Sequence, residues 1–205
     1  MIYDYILKNF SNGEPIFISE IPGSSKDVVR QELKRLTDNN KLKRLRNGVY
    51  YLPYKTIFGT DGMVSIDKYI EKKFLNTKSG AIGFLSGLSL INYYGFSTQN
   101  PAVTEICSNG ATTKQRKVTI EGYKFIIYKP PVEITDKNVK ELQFLSLMSV
   151  INKYSEIKGQ EYEAKLKEYL IKNKINFNVV KKYLPLFPKV VYKNIFEGGL
   201  MNELL

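Results

Sequence analysis

The apolar positions of this chain begin with a helical stripe. Tyr3, Ile6, Leu7 and Phe10 stand at i, i+3, i+4 and i+7, which predicts one buried helix face. Ser11-Asn12-Gly13 would end that helix, and Ile16-Phe17-Ile18 reads as a short strand or a cover for the core. Ser19-Glu20-Ile21 predicts a very short second helix, closed by Pro22-Gly23. A longer amphipathic helix follows, with Val29, Leu33 and Leu36 on one face and Arg30, Gln31 and Lys34 on the other. Ser24 with Asp27 three residues on fits a capping box, and Asn39-Asn40 supplies the stop. The period then changes to two. Asn47-Gly48 predicts a type I′ hairpin turn, which needs positive φ at both central residues. In that register Arg46 faces Val49, Leu45 faces Tyr50, Arg44 faces Tyr51 and Lys43 faces Leu52. Leu45, Tyr50 and Leu52 would then share the inner face, and Arg44, Arg46 and Tyr51 the outer one.

Helix, short helix, turn, helix, hairpin is the order of a winged helix-turn-helix, here within residues 1–56. Pro53–Gly62 reads as a linker, and 63–205 as a second domain, helical from about 137, so the predicted class is α+β. In that second part, residues 64–75 predict a helix with Ile66, Tyr69, Ile70 and Phe74 on one side. Gly80–Tyr94 predicts another, rich in small residues suited to close packing. Val103–Ser108 reads as a strand. Val118–Ile120 and Tyr123–Lys129 read as a hairpin about Glu121-Gly122, with Lys114, Arg116 and Lys117 in a basic loop between the strands. Helices are expected near 137–155, 160–173, 176–184 and 188–204, and Val139, Leu142, Phe144, Leu145 and Met148 are core candidates in the first of them.

The chain is strongly basic. The 205 residues hold 31 basic and 20 acidic side chains, net +11. Residues 26–55 hold nine basic and three acidic ones, net +6, which points to nucleic acid. A helix entering the major groove reads bases mainly with its N-terminal part, and wing cations meet phosphate. Ser25, Lys26, Arg30 and Lys34 in the helix, and Lys43, Arg44, Arg46 and Asn47 in the hairpin, are therefore the candidate DNA-binding residues. A solvated helix and a basic edge strand that resists aggregation would also account for these charges. The loop carrying Lys114, Arg116 and Lys117 is a second candidate contact.

Candidate chemistry is sparse. The chain has no histidine and one cysteine, Cys107, which argues against the usual zinc sites and a Cys–His nucleophile. Glu156-Ile157-Lys158 matches half of a nuclease-like Glu-x-Lys pattern, a triplet common by chance. No catalytic residue, metal or cofactor is expected. MIYDYILKNF has no signal-peptide apolar region, and the longest apolar run, near Ala81–Ile91, is too short to span a bilayer. A cytoplasmic protein without a membrane partner is expected.

Two segments resemble a known family. LKRLRNGVYYLP at 42–53 and SGAIGFLSGLSLINYYGFSTQNPAVTEICSN at 79–109 are similar to the AbiEi-type antitoxins of bacterial abortive-infection, type IV toxin–antitoxin systems, over most of residues 1 to about 150. The more specific pieces are Arg46–Tyr50 and Tyr94-Gly95-Phe96-Ser97. The resemblance implies an N-terminal winged helix that binds operator repeats in duplex DNA and represses its own operon. It also implies an antitoxin activity in the C-terminal part, and a nucleotidyltransferase-like toxin with which no stable complex forms. A stand-alone regulator, or a protein-interaction module without a toxin partner, is the alternative.

Overall fold

The computed structural model describes residues 1–23 and 25–204, apart from the side chains of residues 203 and 204. It is a mixed α+β protein that divides into two compact units, Met1–Glu71 and Lys72–Leu205. Ser24, the expected first capping residue, lies outside the described residues.

The first unit opens with α1, Ile2–Asn9, whose Ile6 is buried. Leu7, expected on the same face, is 53% exposed. An eight-residue helix presents only a narrow stripe, and Ile6 with the half-buried Tyr3 and Phe10 fills it. Strand β1, Ile16–Phe17, passes into a 3-10 turn at Ile18–Glu20, where the expected short helix lay. Helix α2 spans Lys26–Asp38. Ser25 caps it by accepting the Val28 amide at 3.2 Å, and Asn40, at φ 57, turns the chain out of the helix. Val29, Leu33 and Leu36 are buried as their spacing requires. They join Ile6, Ile16, Ile21, Leu42, Tyr50 and Leu52 in one core. Ser25→Ala removes the acceptor and is expected to cost about 1 kcal/mol of stability in urea unfolding, whereas Ser25→Gly costs only a few tenths. Equal costs for the two would count against a capping role.

The hairpin of β2, Lys43–Arg46, and β3, Val49–Tyr51, forms with β1 on the far side of β3, giving the order β1-β3-β2. Its register differs from the expected one. Arg46 does face Val49, but Arg44 faces Tyr50 and Lys43 faces Tyr51, with an irregularity between Arg44 and Arg46. Of the two turn residues only Gly48 has positive φ, at 73, so the type I′ geometry is absent. A left-handed residue confined to the glycine goes with a bulged hairpin, and one extra residue reverses the alternation beyond it. Arg44 therefore shares a side with Tyr50. Residues 53–62, read as linker, belong to this unit. They form a pinned loop, with Gly62 N–H donating to the Tyr54 carbonyl at 2.8 Å and Thr56 N–H to that of Thr60 at 2.9 Å. Helix α3, Ile66–Ile70, buries Ile66, Tyr69 and Ile70 as expected and runs into a wide turn at Glu71–Leu75 that buries Phe74.

In the second unit, the helix expected over Gly80–Tyr94 is not one element. Strand β4, Asn76–Thr77, pairs with β5, Gly80–Ala81. Then come β6, Gly83–Leu85, and a short α4, Gly87–Tyr93. The small residues do serve close packing, but of strands. A side chain on Gly83 would collide with the backbone carbonyls of Phe74 and Cys107, and Gly87 sits at φ 56. Strands β7, Thr104–Ser108, β8, Gln115–Ile120, and β9, Tyr123–Tyr128, complete a four-stranded sheet of order β6-β7-β9-β8. Here both turn residues, Glu121 at φ 48 and Gly122 at φ 82, have positive φ. Arg116 and Lys117 lie in β8 rather than in a loop. Burial pushes the Cys107 thiol up to about 12, as for an inert core cysteine.

Helices α5, Val139–Tyr154, α6, Gly159–Asn173, and α7, Phe177–Tyr183, follow the expected positions. The last expected helix is two, α8, Val190–Glu197, and α9, Met201–Leu204, separated by Gly198-Gly199 with Gly199 at φ 70. Leu142, Phe144, Leu145 and Met148 are buried, and α5 is the central helix, packed on α4, α7 and α8. Among the described residues, no helix is long and apolar enough to cross a membrane.

Candidate nucleic-acid interface

The eight candidate residues divide into three groups. Arg30, Lys34, Arg44 and Asn47 meet around one groove of about 560 Å³ between α2 and the hairpin, together with Ile18, Thr37, Asp38, Gly48 and Tyr50. Helical spacing brings Arg30, Lys34, Thr37 and Asp38 to one side of α2. The shifted register brings Arg44 round to meet them, because it now points with Tyr50. Ser25 and Lys26 line a neighbouring hollow at the start of α2, with Ile18, Ile21 and Gly23. Lys43 and Arg46 line neither.

Each arginine of the groove has a local partner that orients it. Arg30 Nη1 lies 2.9 Å from Asp27 Oδ1, one turn back on the exposed helix face. Arg44 Nη2 donates to Asn47 Oδ1 at 2.8 Å across the hairpin turn. Both pairs are solvent-exposed, where such interactions contribute little stability and open readily to a competing anion. Lys26 and Lys34 are exposed and form no ion pair among the described residues. The groove thus has cations on both walls and a polar turn at one end. The acids beside it are Asp27, paired with Arg30, and Asp38 in the lining.

The other two cations are tied elsewhere. Lys43 Nζ lies 2.8 Å from Asp61 Oδ2, and Lys55 Nζ lies 2.6 Å from Asp61 Oδ1. These two ammonium groups hold the Asp61 carboxyl down at about 2. Arg46 Nη1 donates to the hydroxyl of Tyr69 at 3.2 Å, and Tyr69 is buried in α3. The expected shared outer face of Arg44 and Arg46 is therefore not formed. Thr37 and Asp38 could have been found in the sequence from their spacing to Arg30. The Lys43–Asp61 and Arg46–Tyr69 contacts gave no local signal, since they span 18 and 23 residues.

Counted by unit, charge is distributed differently from the expectation of an excess gathered at 26–55. Met1–Glu71 has 11 basic and nine acidic residues, net +2, while Lys72–Leu205 has 20 and 11, net +9. The +6 of residues 26–55 is a local polarisation, offset within the unit by six acids and two bases outside that segment.

Glu156, the weak catalytic candidate, holds a turn. Its carboxylate accepts the Thr98 amide at 2.7 Å, the Thr98 hydroxyl at 2.9 Å and Gln99 Nε2 at 2.9 Å. These donors stabilise the charged form and hold the carboxyl at about 2, below its ordinary 4.5. With a depressed folded-state value, the contribution is complete above about 4.5 and is lost as pH falls towards 2. Glu156→Gln is expected to lower the Tm at pH 7, with the gap to wild type closing as pH drops through that window. A gap constant down to pH about 2 would show that charge has no part in it. Among the described residues, no three Asp, Glu or Cys side chains converge as a metal ion would require. No protein-family model matches the chain, and no curated protein matches it significantly.

Proposed function

We propose that this chain is a duplex-DNA-binding transcriptional repressor whose first unit acts as a winged helix-turn-helix, with α2 as recognition helix and β2–β3 as wing. One observation carries the reading. Arg30 and Lys34 on α2 and Arg44 and Asn47 on the hairpin line the same groove, with the arginines oriented but exposed. Guanidinium groups so placed can reach phosphate or a guanine edge, and the lysines supply phosphate contacts. Repression follows by operator occlusion. The antitoxin role, on the operon of a nucleotidyltransferase-like toxin, rests on the resemblance of residues 42–53 and 79–109 alone. No residue here is assigned to it. The test is duplex binding by the full chain over a range of salt, comparing wild type with Arg30→Ala/Lys34→Ala/Arg44→Ala. A full chain that binds no duplex at low salt would favour the protein-interaction alternative.

A further inference from the structure

The second unit carries most of the net charge, and its densest exposed part is the β8–β9 ribbon. Residues 114–129 contain Lys114, Arg116, Lys117, Lys124 and Lys129 against one acid, Glu121. All five cations are exposed, and none forms an ion pair among the described residues. That sets them apart from Arg30, Arg35 and Lys43 of the first unit, each paired with a carboxylate.

Position separates this patch from a generic lysine-rich surface. Strand β8 is the outer strand of its sheet. Arg116 stands opposite Ile127, on the side of Val118 and Phe125, while Lys117 and Lys124 lie on the other side with Thr119 and Ile126. The cations thus straddle the outer edge of the sheet. They are also spread along it. Lys129 N–H bonds the Lys114 carbonyl at one end, Arg116 and Lys117 follow, and Lys124 faces Thr119 near the turn. Six strand residues extend about 20 Å, and each DNA strand presents about one phosphate per 3.4 Å of helix axis. Cations spread over that length match a polymer of phosphates better than a single small anion. Two copies of this chain would bring like charges together if these edges paired, which disfavours self-association there.

We infer that the β8–β9 ribbon is a second, sequence-independent contact to the phosphate backbone of duplex nucleic acid. It rests on the reading above for the identity of its polyanion. The ribbon adds affinity and salt dependence, and the α2 groove adds register.

The test uses the full chain and two duplexes, one of random sequence and one carrying the DNA upstream of this chain's own gene. Fluorescence anisotropy is measured across salt concentrations. Arg116→Gln/Lys117→Gln/Lys124→Gln is compared with Arg30→Gln/Lys34→Gln, and circular dichroism checks that each variant is folded. Removing one phosphate-binding cation should flatten the plot of log affinity against log salt by about 0.9. The ribbon variant is therefore expected to lose close to three units of slope equally on both duplexes. An unchanged slope in the ribbon variant, with the helix variant weakened, would overturn the ribbon inference and leave the groove reading standing. A flattened slope in the ribbon variant alone would support the ribbon and count against the groove. Failure of wild type to bind duplex, with polyglutamate bound instead and released by the ribbon substitutions, would overturn this inference in favour of an acidic protein partner.

Discussion

Gly83→Ala is expected to break the second unit locally and to cost about 3 kcal/mol or more, the upper range for overpacking. A Cβ at this position points at the Phe74 carbonyl oxygen, lies 2.7 Å from the Cys107 carbonyl oxygen and 3.1 Å from Ser108 Cβ. Two of the three obstacles are backbone, so no rotamer change relieves them. The Cys107 carbonyl belongs to β7, whose ladder with β6 pairs Gly83 with Ser108 and Phe84 with Cys107. Relief requires β6 to lift from β7, which also exposes Phe84, a member of the cluster with Cys107, Ile134 and Leu142. Chemical denaturation of the full chain should show the destabilisation, and hydrogen exchange should place it in β6 and β7. Gly122, in the β8–β9 turn of the same sheet, has open space around it but a φ of 82, so Gly122→Ala should cost only its backbone strain, about 1 kcal/mol. Equal costs at the two glycines would mean that the close approach at Gly83 is relaxed in solution.

The triple variant Arg30→Ala/Lys34→Ala/Arg44→Ala is expected to reduce duplex affinity by about 10²–10³-fold at moderate salt and to flatten the salt slope by nearly three units. The three side chains are exposed, so the fold should survive. Arg46→Ala is the contrasting control. Its guanidinium donates to Tyr69 within the unit, so its removal should show first in stability, leaving the salt slope near wild type. If Arg46→Ala flattens the slope while the triple variant does not, the groove is the wrong face of the hairpin.

How far the sequence could be read depended on the range of each interaction. The inner face of α2 was legible because Val29, Leu33 and Leu36 report a local period, and the same holds for Ile66, Tyr69 and Ile70 in α3. The turn at Glu121-Gly122 formed as alternation suggested, whereas Asn47-Gly48, the stronger motif, did not take its favoured geometry. The difference is a bulge at one residue of β2, and a two-residue turn motif does not encode the register beyond itself. The small-residue run from Gly80 to Ser89 misled for a related reason. Close backbone approach suits helix packing and strand pairing alike, and only the positive φ at Gly80 and Gly87 excludes one continuous helix.

Local spacing alone carried the order of elements from α1 to β3, the buried face of α2 and the cationic character of residues 26–55, all properties of neighbours a few positions apart. Which cations share a surface depended on how the folded chain brings distant segments together. The tertiary structure joined Arg30 and Lys34 to Arg44 across a groove, gave Lys43 to Asp61 and Arg46 to Tyr69, and set the β8 cations, which form no ion pair among the described residues, on the outer strand of their sheet. The physical reason is that an ion pair or hydrogen bond forms wherever the folded path brings two groups within about 3 Å. Amphipathic spacing fixes which face of an element is buried, but it carries no information about what lies opposite.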